Sequence, residues 1–213
     1  MATNAGGATP FGFLPARKRD GQPNSEAFGQ IVQPVSNSAV GMVSLIPTTI
    51  FSGDMIAIDD TGTITPAVRA SLKITGVFQG CQYVENGEPK FSRTYPGGTS
   101  VSDVKLHVIT DPTQTYFAMV DAAVTDGALI KYLNYTVSNS AGDITTGQSG
   151  QNIKGTAVAT NASIGAHVRI IGRKDIDGDS VNGNVAASDD RPIVECYINA
   201  SRYLSVHSGV TLG

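Results

Sequence analysis

The stretch Ser52-Gly-Asp-Met-Ile-Ala-Ile-Asp-Asp-Thr-Gly-Thr-Ile-Thr-Pro66 decides the fold class. Met55 to Ile58 is a short apolar run. Asp59 to Gly62 supplies the residue types that accept the backbone angles of a tight reversal, and Thr63 to Thr65 starts a return strand. The stretch therefore predicts a β-hairpin.

The same grammar extends outward in both directions. Leu72 to Phe78 reads as another apolar strand. Val104, Leu106 and Val108 alternate with Lys105 and His107, the period-two pattern of a half-buried strand. Tyr116 to Val120, Ala128 to Val137, Val168 to Ile171 and Ile193 to Ile198 follow, separated by turns such as Ser138 to Asp143. Helical periodicity is nearly absent, and a single helical turn around Thr125 to Tyr132 competes there with β. The expectation is an all-β chain: an antiparallel barrel or sandwich of short strands.

Two segments depart from this pattern. Residues 1–27 place Pro10, Pro15 and Pro23 among several glycines, which disfavours regular structure. They read as an extended N-terminal arm preceding a single β domain over 28–213. Phe11, Phe13 and Leu14 make the arm apolar, and Arg17, Lys18 and Arg19 follow directly. Apolar anchors beside cations describe a docking peptide, whereas the cluster alone also fits a solvated terminus. Such an arm is expected to be dispensable for folding: removing residues 1–20 leaves the β domain folded. Residues 81–99 form the second departure. Asn86-Gly87 is a strong two-residue turn signal between aromatic-bearing segments, so a protruding ribbon is expected, carrying Tyr83, Phe91 and Tyr95. These aromatics either fold back onto the domain or meet a neighbouring subunit, and the ribbon is read as meeting the neighbour.

Composition bounds the function. The chain has 213 residues, 40% hydrophobic and 15% charged, with 24 Gly and a net charge of -3. One β domain fits this length. Arg17-Lys18-Arg19 is too small a basic patch for a nucleic-acid surface, so no nucleic-acid partner is expected. No run approaches a membrane helix, and the first residues lack the basic start and apolar run of a signal peptide, which predicts folding in a cytosol. Cys81 and Cys196 read as two lone thiols in apolar strands.

No constellation for catalysis emerges. His107, His167 and His207 have no metal-ligand spacing with one another or with a cysteine, and read as isolated surface histidines. Asp175, Asp177 and Asp179 begin like a calcium loop. Ser180 and Ala186 then stand where that motif needs Gly and Glu, which favours an exposed acidic loop over about 174–191. The serine in Gly147-Gln-Ser-Gly150 lacks the spacing of a nucleophile elbow. The residues predict no enzyme, no cofactor and no metal.

Several motifs, in this order, resemble a known family. Ala8-Thr-Pro-Phe-Gly-Phe-Leu-Pro-Ala-Arg-Lys-Arg-Asp-Gly21 looks like the opening of a group of tailed-phage virion proteins. Ser52 to Ala67, closing on Ile74 to Phe78, is similar to their first hairpins. His107 to Pro112 with Tyr116 to Asp121, then Thr146 to Gly150 and Val168 to Gly172, resemble the rest of the pattern. The family is that of head decoration, or capsid cement, proteins. The resemblance implies a virion protein made in the host cytoplasm that binds the outer capsid surface, often as a homotrimer, with the major capsid protein and itself as partners. A phage tail or baseplate component is the alternative, and a carbohydrate-binding or hydrolytic domain a more distant one.

Overall fold

The computed structural model describes residues 10–19, 30–32, 48–58, 64–66, 74–97, 101–121, 134–138, 140–158, 167–174 and 193–199. The described residues form fourteen β-strands and no helix. The acidic loop beyond Lys174, the segment Thr125 to Tyr132 and His207 lie outside them, as do arm residues 1–9 and 20–27.

The two strands of the deciding hairpin pair as their sequence predicts, while its turn, 59–63, lies outside the described residues. β4 (Met55–Ile58) pairs antiparallel with β5 (Ile64–Pro66), Ile58 opposite Ile64. β4 also pairs with the long β6 (Ile74–Glu85), which pairs on its other side with β9 (Ser102–Ile109). β2 (Gln30–Val32) borders β9, and β7 (Glu88–Ser92) returns along the far half of β6. The β6–β7 turn is Asn86-Gly87, both in the left-handed region at φ 54° and 82°. A two-residue hairpin turn with that twist needs such angles, and Asn-Gly accepts them at least cost.

A second sheet runs in the order β1 (Leu14–Lys18), β10 (Gln114–Met119), β14 (Ile193–Ile198), β13 (Val168–Lys174), β11 (Asn134–Ser138), β12 (Asn152–Val158), antiparallel throughout. It curls back on itself. Val120 and Ile153 form a parallel bridge, the Asp121 amide donates to the Ile153 carbonyl at 2.8 Å, and the Gly155 amide donates to Asp121 Oδ1 at 3.0 Å. The sheet thus approaches a closed barrel.

The two sheets share one core. Tyr116, Tyr135, Val168 and Cys196 from the curled sheet pack with Met55, Ala57, Ile74, Val77 and Ile109 from the other. The alternate residues of that other sheet face the opposite way. Ile56, Phe78, Cys81, Leu106 and Val108 build a second core, closed by the two-stranded ribbon of β3 (Ile50–Phe51) and β8 (Thr94–Tyr95) through Ile50 and Tyr95. β4 therefore reads Met-Ile-Ala-Ile because both its faces are buried. Bulges keep these faces in phase. Thr75 is the extra residue on β6 between Gly76 and Ile74, and its hydroxyl accepts the Ile58 amide at 3.1 Å.

The arm corrects the sequence expectation. Residues 10–19 belong to the domain. Phe13 is completely buried in the shared core, and its amide donates to the Gly53 carbonyl at 2.9 Å. β1 is then an edge strand of the curled sheet, Pro15 opposite Tyr116. Gly12, at φ 74°, lets the chain pass so close to Ser149 that a Cβ there would lie 2.5 Å from the Ser149 Cβ. Beside it, the buried Asp54 carboxylate accepts from the Phe51 amide at 2.8 Å and from the Ser149 hydroxyl. The Gln151 side-chain carbonyl accepts the Met55 amide at 2.8 Å. These polar groups lock the arm, the β3–β4 turn and the loop before β12 together.

His167 is a second correction. It is buried, not on the surface, and its Nδ1 accepts the Val137 amide at 3.2 Å, so it bridges β11 and β13.

Candidate interaction face

The residues proposed from sequence as contacts divide sharply by environment. Phe13 is core. Tyr83 and Tyr95 are buried in the second core and meet edge to face, ring centroids 6.4 Å apart. These three serve the fold, contrary to the expectation of a subunit contact. The basic cluster is engaged within its own chain. Arg17 forms a two-pronged pair with Glu195, Lys18 Nζ lies 3.1 Å from Asp111 Oδ2, and the Arg19 guanidinium sits 4.2 Å above the centre of the Tyr197 ring. Phe11 is half-buried. Leu14 is 45% exposed and Phe91 76%.

Local geometry explains why Phe91 and Tyr95 part company. In a straight strand they would share a face. The chain instead bends at Arg93. The Thr94 amide donates to the Ser92 hydroxyl at 3.0 Å, and Thr94 and Tyr95 leave β7 to pair with β3. The Cys81 thiol lies 3.6 Å from the Ser92 and Thr94 carbonyls on the inner side of this bend. Tyr95 is carried inward and Phe91 stays outside.

Phe91 stands opposite Gln82, and Gln82 opposite Lys105, giving one transverse row across β7, β6 and β9. In the next row Gly80 faces His107. Gly80 lies in a groove of about 490 Å³, lined also by Gln79, Gln82, Phe91, Arg93 and His107 among others. Gln82 Nε2 and His107 Nε2 are 3.1 Å apart along its floor. The sequence signal for the groove is Gly80 itself, an isolated glycine inside a strand pattern.

Neither cysteine is an activated thiol. Cys81 and Cys196 are free and buried, in different cores. Burial pushes the Cys81 thiol up to about 12 and raises Cys196 as well, so neither offers a thiolate at neutral pH. No three metal-ligating side chains gather among the described residues.

Three border strands carry proline. Pro15 lies in β1, Pro66 in β5 and Pro89 in β7, each bordering its sheet. Proline withholds an amide donor and blocks edge-to-edge pairing. The groove beside Phe91 bears an exposed aromatic side chain. Comparison with known proteins gave no match to a family model, to a curated protein or to a solved structure.

Proposed function

We propose that this protein is a virion structural protein that binds the outside of a phage capsid and stabilises the shell, without catalysis. One observation carries the reading: Phe91 stands 76% exposed on the outward face of the β6–β7 ribbon, beside Arg93, where folding gives it no role. An aromatic with a neighbouring arginine is the usual anchor of a protein interface. The motif order that resembles head decoration proteins supports the same reading, as does an all-β platform with proline-guarded edges. The partners are the major capsid protein and further copies of this chain, as a trimer. Stabilisation follows by mass action: a protein that binds the assembled lattice and not free subunits shifts the equilibrium toward the shell. Imaging of capsids with and without the protein tests this. Density on the outer shell surface, in a copy number matching the lattice, supports it. Density confined to the tail overturns it.

A further inference from the structure

From the groove's chemistry we infer that it receives an extended, acidic peptide segment with an apolar residue two positions from its carboxylate. This rests on reading the ribbon face as the contact surface, and it names the partner's chemistry. Among the described residues the groove wall is rich in donors and lacks acid. Gln79 Nε2 is buried there with no acceptor. Arg93 lines the groove and Lys105 flanks it in the Phe91 row, and neither has a carboxylate within ion-pair reach among the described residues. Among the described residues no Asp or Glu lines it. Two cations without a carboxylate partner among the described residues favour an anionic ligand, and a guanidinium fits a carboxylate with two parallel hydrogen bonds.

Spacing selects a peptide. Phe91 and Arg93 are two residues apart, about 7 Å along an extended chain. Side chains i and i+2 of an extended ligand have the same separation, so one packs on the exposed ring while the other reaches the guanidinium. Pro89 on the outer edge of β7 disfavours strand addition, leaving the face as the docking surface.

The test titrates the isotope-labelled full chain with a blocked Gly-Phe-Ser-Asp-Gly peptide at millimolar concentration, followed by amide chemical shifts. Parallel arms use the same peptide with Asn for Asp, and glucuronate as an anionic sugar. The expected result is saturable shifts at Gly80, Gln82, Phe91, Arg93 and His107. Affinity falls about tenfold for the neutral peptide, and about tenfold for Arg93→Gln, whose own spectrum verifies its fold. Equal binding of both peptides, unchanged affinity in Arg93→Gln, saturation by glucuronate alone, or no shifts in the groove each overturn the inference. Peptide binding by a protein that leaves capsids bare would instead overturn the capsid reading and keep the groove.

Discussion

Arg17 and Glu195, 178 residues apart in sequence, meet in a two-pronged ion pair: Arg17 Nε donates to Oε1 and its terminal nitrogen to Oε2, each at 2.9 Å. The Thr115 hydroxyl, between them on β10, lies 2.8 Å from the same Oε1 and from the Arg17 carbonyl. The first described segment of the chain is thereby fastened across β10 to the last described strand. Deleting residues 1–20 is expected to cost the domain its cooperative unfolding transition, because β1 and Phe13 leave with the arm. A truncated protein that melts like the full chain would contradict this assignment.

Side-chain deletions separate core from surface within the same segment. Phe13→Ala removes a fully buried ring and is expected to destabilise by about 3–5 kcal/mol in denaturant unfolding. Leu14→Ala, next to it but 45% exposed, is expected to change stability by less than about 0.5 kcal/mol.

Gly12 tests the close approach that admits the arm. Its φ is 74°, and a methyl added there would sit 2.5 Å from the Ser149 Cβ, which leaves no room for alanine. Gly12→Ala is expected to destabilise by about 1–3 kcal/mol, from left-handed strain together with the forced displacement of Ser149. Thermal unfolding at one pH reads this directly.

Asp54 gives the fold a pH dependence of definite sign. Burial raises its carboxyl from 3.8 to about 6, against the opposing hydrogen bonds from the Phe51 amide and Ser149. The folded state therefore binds this proton more tightly than the unfolded chain. Its stabilising contribution is fully present below about pH 4 and is lost as pH rises through about 6. Asp111 and Asp143 act oppositely. At Asp111 burial is outweighed by hydrogen bonds from Thr113 and by Lys18, at Asp143 the Thr145 amide dominates, and both carboxyls are held low, so their contributions fade on acidification. The difference between wild type and Asp54→Asn isolates the Asp54 contribution. The gap in stability is expected to shift in favour of the wild type by on the order of 2–3 kcal/mol on going from pH 7 to pH 4. A gap independent of pH would remove Asp54 from the account.

The strands that sequence reading located are those whose signals are local. Asn86-Gly87 fixes its own turn, Met55 to Ile64 closes within a dozen residues, and the alternation from Val104 to Val108 needs only one buried face. The failures are non-local. Phe13 lies in a stretch of proline and glycine, and its burial depends on β10, about a hundred residues away, and on Gly53. Tyr83 and Tyr95 look like ribbon decoration until β8 is seen to pair with β3, which carries Tyr95 into the second core beside Tyr83. His167 resembles a surface histidine because nothing near it in sequence announces the Val137 amide. Of the apolar and aromatic contact residues, Phe91 and Leu14 remain well exposed, and of the groove beside Phe91 only Gly80 carries a sequence signal, while Gln79 and His107 carry none.

The proposed docking of the ribbon face on a capsid is open to direct measurement. The most direct measurement is occupancy of capsids, by imaging and by quantitative gel analysis of purified particles, for wild type and for Phe91→Ala with Arg93→Glu. Both positions are solvent-facing, so the double variant is expected to keep its melting temperature within a few degrees. The account predicts lattice-matched density for the wild type and at least about tenfold lower occupancy for the variant. Wild-type protein absent from the shell, or a variant that decorates it equally well, would contradict the account.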